Sequence, residues 1–386
     1  MRVSPGSLDP LSLLPGRSRE LLYDRLMEQI PSNVGINAVT EENTTKPEAA
    51  ARLLELIQMR LISEAIHVAA VLGVADLLAD SPKTVEELAA ATEVTAPSLR
   101  RVMRALASFC IFLQDSSGRF ALAPMGEFLK RDLAGSLHAA ALFFGGEDGV
   151  SAVRLFLECV KTGETVTQKL SGLSSFDWLL SDPERTKLFN AVMTAFATLH
   201  FTGVPEAYDF SKVTKIVDVG GGHGKMICEI LKRNPGMQGI LFDLPHAFRG
   251  GQRTVALAGL VDRCEVVSGD FFVSVPTGAD LYLLSRVIHD WDDEKAVAIL
   301  KVVRRAIAPH GRLILLETML RPAGSTVYPV LSDLNMLLLT GGCERTEAEY
   351  LALYRAAGFE LTKAVLTKSP TGTTVIEGKP VSSCEQ

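Results

Sequence analysis

Two groups of residues in this chain have the types and spacing to do chemistry. The first is His289, in the run Leu284-Ser285-Arg286-Val287-Ile288-His289-Asp290-Trp291-Asp292-Asp293, with Glu317 and Glu344 downstream. An imidazole with a carboxylate on one ring nitrogen has its tautomer fixed, and its other nitrogen can then take a proton while the carboxylate steadies the imidazolium. Either Glu317 or Glu344 would serve. Against a phenol of pKa about 10, a histidine near about 6.5 starts about 3.5 units short, roughly 5 kcal/mol at about 1.4 per unit, and nearby carboxylates narrow that gap. The acids also have plainer roles open to them: Glu344 could cap the helix starting near Arg345, and Asp290, Asp292 and Asp293 the helix that runs to Ala308. A metal site in the acidic run is disfavoured, because adjacent positions point their ligands in different directions.

The second group lies upstream. Asp218-Val219-Gly220-Gly221-Gly222-His223-Gly224 follows an apolar run and opens a helix, and glycines there let the backbone turn tightly and a ligand approach it closely. A nicotinamide-dinucleotide fingerprint needs Gly at its first, third and sixth places; counting from Gly220 the sixth is Lys225. The spacing acidic, x, Gly, x, Gly, x, Gly instead resembles the first motif of class I methyltransferases, and an acid beside such a loop favours a cofactor whose amino group and sulfonium are positive. Asp243, in Phe242-Asp243-Leu244-Pro245, is placed to accept from both hydroxyls of a ribose. Asp270, in Gly269-Asp270-Phe271-Phe272, is placed to accept from an adenine amino group, with Phe271 packed on the ring. Each acid alone could be a helix cap; three at successive strand ends describe an adenosine site.

The elements that must position these groups are readable. From Asp209 onward short apolar runs alternate with helical stretches, the pattern of a doubly wound parallel sheet. Its strands are expected at Lys215 to Val219, Gln238 to Phe242, Cys264 to Ser268, Asp280 to Leu284 and Arg312 to Leu316, with a closing pair near Glu360 to Val365 and Thr373 to Glu377. Upstream, from Ala51 to Ala79, Leu53, Leu54, Ile57, Leu61, Ile62, Ala65, Ile66 and Ala69 recur at helical spacing, which reads as one or two core-facing helices. Helical patterns at Val85 to Ala91 and Ser98 to Phe109, then short strands at Ile111 to Leu113 and Arg119 to Leu122 around Asp115-Ser116-Ser117-Gly118, make a winged-helix pattern. Residues 1–50, rich in Pro, Ser, Asn and Thr apart from a helical piece at Arg17 to Ile30, read as a flexible extension. The expected division is 1–50, a helical winged-helix-like unit at 51–200 and an α/β cofactor-binding domain at 201–386.

Composition narrows the partners. The chain has 386 residues, 47% of them apolar, and 39 basic against 45 acidic side chains give a net charge of −6. The winged-helix pattern places Arg100, Arg101 and Arg104 on the helix that would read DNA. From Thr84 to Arg131, however, six basic residues face five acidic ones, less than a phosphate-gripping surface uses. No nucleic acid partner is expected, and no membrane partner, since no apolar stretch reaches about 18 residues and no signal peptide is evident. Six scattered cysteines without paired spacing suit a reducing cytoplasm.

Together these motifs resemble the caffeate and acetylserotonin type O-methyltransferases and their bacterial relatives that tailor natural products. The resemblance spans about residues 51 to 380 and rests on 218–224, 242–245, 269–272, His289-Asp290-Trp291 and Gly341-Gly342-Cys343-Glu344-Arg345-Thr346. It implies S-adenosylmethionine as cofactor, held by Asp218, Gly220, Gly222, Asp243, Asp270 and Phe271, with Ser285 where plant members carry a cofactor-holding Lys. It implies a class I, Rossmann-like catalytic domain and a winged-helix-like domain that joins two copies into a homodimer. It implies His289 as general base, flanked by Glu317 and Glu344, in an in-line transfer of methyl to a hydroxyl of a small-molecule acceptor. Phe189, Met193 and Phe196 would line the acceptor pocket. Plant members have a pocket Asn where this chain has Leu339, and Asn335 is the candidate to supply that amide. Relatives diverted to decarboxylation or hydroxylation, and a ligand-sensing DNA-binding regulator, are the competing readings.

Overall fold

A computed structural model describes residues 45–321 and 327–381. The helical piece at Arg17 to Ile30, and nearly all of the extension expected over 1–50, lie outside the described residues. The first described helix opens at Lys46 rather than Ala51 and runs Lys46–Val71. Glu48 fixes its start, accepting from the Thr45 backbone N–H at 2.9 Å and hydroxyl at 2.8 Å, which satisfies donors that a helix start leaves free.

That helix corrects an expectation. Leu53, Leu54, Ile57 and Leu61 are 59%, 55%, 68% and 66% exposed, and only Ala69 and Ala70 near the far end are buried. Helical periodicity says that one face is apolar; it does not say which body covers it. Beyond it stand the helices Val85–Thr92 and Ala96–Ser108 and a hairpin of β1 (Phe112–Gln114) and β2 (Phe120–Leu122). Asp115 folds that turn by accepting from the Ser117 and Arg119 amides at 2.9 Å. Val85, Leu88, Leu99, Met103, Leu106, Phe112 and Phe120 form this unit's core. Arg100 is paired with Glu86, while Arg101 and Arg104 are exposed.

The α/β part follows the expected strands closely. They are β3 (Lys215–Val219), β4 (Gln238–Asp243), β5 (Cys264–Ser268), β6 (Leu281–Ser285), β7 (Arg312–Leu320), β8 (Arg345–Thr346), β9 (Phe359–Leu366) and β10 (Thr373–Pro380). The sheet order is β5-β4-β3-β6-β7-β10-β9, with β8 beside the end of β7. Strands β3 to β7 pair in parallel, and β10 joins β7 and β9 antiparallel. Alternation along β3 feeds two cores: Val217 and Val219 enter one, under the helices Asp293–Ala306 and Glu347–Ala356, and Ile216 enters the other, under Lys225–Arg233. The order reverses between β3 and β6, which opens a crevice at their carboxyl ends where such sheets bind ligands. Among the described residues no helix is long and apolar enough to cross a membrane.

Candidate active site

The glycine loop forms the floor of that crevice. Gly220, Gly222 and Gly224 have φ of 71°, 56° and 79°, a left-handed backbone that other residues adopt at a cost. A Cβ on Gly220 would come within 2.8 Å of Val287 Cγ2 and 3.4 Å of Phe271 Cε1, whereas Gly222 faces open space. The loop therefore touches Phe271, two strands away, and the segment that carries His289. Asp243 ties the loop down, its Oδ2 accepting from Gly222 N–H at 2.7 Å and its Oδ1 from Leu244 N–H at 2.6 Å. Each oxygen keeps a lone pair for an incoming hydroxyl. Burial pushes this carboxyl up, and the two amides pull it back.

Asp270 stands exposed past β5, with Oδ1 accepting from Phe272 N–H at 2.8 Å. Phe271 and Phe272 meet the Trp291 ring edge-on at 6.2 and 4.9 Å between centroids. Ser285 is half-buried at the end of β6 beside Leu316. The third acid, Asp218, is the penultimate residue of β3 and so stands at that strand's carboxyl end, but it shares the face of Ile216 and is wholly buried, beneath the loop and against Gly221. Neither of its oxygens has a hydrogen-bond partner, and burial, reinforced by Asp243, pushes its carboxyl up to about 7.

His289 sits on a single helical turn, Ile288–Asp290, and is 5% exposed. Glu344 Oε1 lies 3.2 Å from its Nδ1, while Asp290 Oδ1 is 3.6 Å from Nε2, beyond hydrogen-bond reach. Glu344 is thus the carboxylate on the ring. Glu317 acts on the backbone instead, its Oε1 accepting from the amides of Val287 at 3.1 Å and Ile288 at 2.9 Å, so it anchors the turn that aims the histidine. Burial and Arg286 both pull the imidazolium down; Asp290, Glu344 and Glu317 outweigh them, and the His289 pKa is raised above the ordinary value. Glu344 goes the other way: burial would raise it, but Arg286 and His289 hold it well below the usual carboxylate range.

The capping alternatives resolve individually. Asp292 is the cap, accepting from Lys295 N–H at 2.8 Å, on a helix that ends at Ala306 rather than Ala308. Asp290 faces His289 and Asp293 pairs with Arg345 at 2.8 Å. Thr346, not Glu344, caps the helix Glu347–Ala356.

Three residues of this machinery carried no assigned role in the sequence. Arg286 Nη2 reaches Glu344 Oε1 at 2.8 Å and Ser332 Oγ at 3.0 Å, and its Nη1 lies 3.7 Å from Glu317 Oε2. Ser332 donates to Glu344 Oε1 at 2.6 Å. Arg345, 1% exposed, donates to the carbonyls of Ile288 at 3.2 Å and Trp291 at 2.7 Å, clamping the histidine's turn from outside. Arg345 was visible within its motif; Ser332 had no local signal. His289, Glu317 and Glu344 bring ligand-type atoms within 4.8 Å of one another, but the Arg286 guanidinium lies on both carboxylates and supplies the positive charge there.

The expected acceptor residues line one side of the helix Pro183–Phe201. Phe189 and Phe196 lie 6.1 and 6.5 Å from Phe143 and Phe144, and Met193 is 38% exposed. Asn335 is half-buried on Val327–Leu339, one turn beyond Ser332. At the end of Pro183–Phe201 the buried His200 holds the hydroxyls of Thr371 at 2.8 Å and Thr373 at 3.0 Å, and Ser369 donates to Leu199 C=O at 2.8 Å. Its other nitrogen stands 3.5 Å from Tyr328 Oη. Burial, with Arg286 and His289 adding, keeps His200 well below the ordinary histidine value.

Comparison with known proteins agrees with this geometry. The family model described as an O-methyltransferase domain matches residues 156–360, and one described as an O-methyltransferase dimerisation domain matches 54–132. The chain belongs to this O-methyltransferase family. It is 39% identical to a phenazine O-methyltransferase (PhzM) of Lysobacter antibioticus, over 85% of this chain and 96% of that one. It is 34% identical to a mitomycin biosynthesis 6-O-methyltransferase of Streptomyces lavendulae, over 88% and 95%. A solved O-methyltransferase of neocarzinostatin biosynthesis (NcsB1), in complex with S-adenosylmethionine and 2-hydroxy-5-methyl naphthoic acid, matches at TM-score 0.70 and 31% identity, covering 83% of this chain and 96% of that one. The methyltransferase is therefore S-adenosylmethionine-dependent, and its residues fit that cofactor: an open position at Gly222, spare lone pairs on Asp243 and an exposed Asp270 share one edge.

Proposed function

We propose that this methyltransferase methylates a phenolic hydroxyl of a small aromatic or polyketide-like metabolite, with His289 as the general base. The observation that carries the reading is the pairing of His289 Nδ1 with an ionised Glu344, with Nε2 outside hydrogen-bond reach of Asp290. An ionised carboxylate only accepts, so in the neutral ring Nδ1 carries the hydrogen and Nε2 the lone pair. When bound, S-adenosylmethionine supplies a methyl group on a good leaving group. The protein's share is to hold the ribose at Asp243, flank the adenine with Asp270 and Phe271, orient the acceptor between Phe189, Met193, Phe196 and Asn335, and draw off its proton at Nε2. Relatives acting on phenazine and mitomycin scaffolds support an acceptor of this class.

The apolar face at Leu53, Leu54, Ile57 and Leu61, inside the matched dimerisation segment, supports a homodimer. We place the boundary between the two units near residue 200, and the enzyme, with free Cys110, Cys159, Cys228, Cys264 and Cys343, in the cytoplasm. The test is to incubate the protein with methyl-labelled cofactor and a panel of hydroxylated aromatic acceptors. Label on a hydroxyl oxygen, with product heavier by one methyl, is the expected result; a product that has lost carbon dioxide or gained oxygen instead would overturn it.

A further inference from the structure

Arg286 has an unusual place for so large a side chain. It follows β6 at φ 55°, left-handed though not glycine, with its N–H still bonded to Leu316 C=O at 3.0 Å. That backbone turn is unfavourable for a residue with a side chain and persists only where its surroundings hold it. Its guanidinium lies between two wholly buried carboxylates, Glu317 and Glu344.

Glu344 Oε1 receives Arg286 Nη2, Ser332 Oγ and His289 Nδ1, at 2.8, 2.6 and 3.2 Å. A neutral carboxylic acid could donate its own hydrogen to Nδ1 and reverse the tautomer, placing the hydrogen on Nε2, where a base needs its lone pair. Two buried carboxylates without that cation would also raise the ring's proton affinity further. We propose that Arg286 is a positioning residue for the transfer: by balancing Glu317 and Glu344 it keeps Glu344 an acceptor, so that the neutral form of His289 carries its hydrogen on Nδ1 and its lone pair on Nε2. This rests on the reading of His289 as base.

The other ionisable groups around the ring are Asp290 on its own turn, Arg345 behind Ile288, Tyr350 from the helix Glu347–Ala356, and His200 and Tyr328 from the acceptor side. Arg286 is the cation that directly contacts the Glu344 oxygen shared with the ring. The variants Arg286→Met and Arg286→Lys keep a non-glycine backbone, so its cost is constant across the series and the charge is what changes.

The experiment is a nitrogen-15 and proton NMR titration of the ring with S-adenosylhomocysteine bound, His289 being assigned by the signal lost in His289→Gln. In Arg286→Met the His289 titration should move up by about one pH unit or more, and the acid limb of kcat/KM should move with it. Arg286→Lys should restore both toward wild type. If Arg286→Met fails to bind S-adenosylhomocysteine, Glu344→Gln carries the test with opposite sign: the titration should move down and the Nδ1–H preference should be lost. An unchanged titration and tautomer, with turnover reduced equally at every pH, would overturn the inference and leave Arg286 a structural residue. Failure of the underlying reading looks different, because His289→Gln would then keep full turnover whatever the arginine variants do.

Discussion

The cofactor edge and the acid–base cluster lie side by side at the carboxyl ends of one sheet, yet backbone shapes the first and side chains the second. At the edge, left-handed glycines and a carboxylate that grips two amides set the geometry within a few residues of chain. In the cluster, one glutamate oxygen is shared by groups from the residue just after β6, from the helical turn that follows and from the helix Val327–Leu339. A local motif can be read and damaged locally. A long-range network can be broken at any of its members, some of them far from the cofactor edge in the chain.

That contrast is open to attack, most strongly at the base. His289→Ala should cut turnover about 100- to 10,000-fold while S-adenosylhomocysteine binding, measured by calorimetry, stays within a few-fold of wild type. Full turnover would remove the ring from the reaction, and lost binding would erase the distinction between the two regions. In the wild type the raised His289 pKa means that kcat/KM should fall as pH drops through a value above the ordinary histidine value of about 6.5. A limb below that value contradicts the carboxylate influence. On the other side, Gly220→Val forces a branched side chain into φ 71° and against Val287, so cofactor affinity should drop about 10- to 100-fold.

Smaller effects sharpen the line. Asp243→Asn should raise the cofactor Kd about tenfold, with turnover at saturating cofactor nearly intact; a loss of kcat without a change in Kd would place Asp243 in the chemistry. Ser332→Ala removes one of the three donors on Glu344 and should lower kcat about fivefold, with the acceptor KM unchanged. Chelators should change nothing, since a guanidinium already balances the two glutamates; activity lost to a chelator and restored by magnesium would overturn that account.

Much of this was legible in the residues. The strands showed because short buried parallel strands read as apolar runs, and the glycine loop, Asp243, Asp270 and His289 showed because each lies in a contiguous motif at a strand end. The motif gives the place of Asp218 at the end of β3 but not its burial, because alternation along the strand turns it under the loop. The partners of Arg286 and the role of Ser332 were not legible, since residues 46 positions apart in the chain meet only after folding. Leu53 to Leu61 looked like core because periodicity shows that a face is apolar and not what covers it.

The corner between β9 and β10 has a consequence for redesign. Ser369, Thr371 and Thr373 hold the end of Pro183–Phe201 through His200 and Leu199, so the helix that offers Phe189, Met193 and Phe196 is moored to the far margin of the sheet. On the proposed reading of those three residues, acceptor preference is not a portable cassette. A helix transplanted from a relative keeps its tilt only if the threonine-rich corner travels with it, and truncating the chain there would loosen the helix from which those three side chains project.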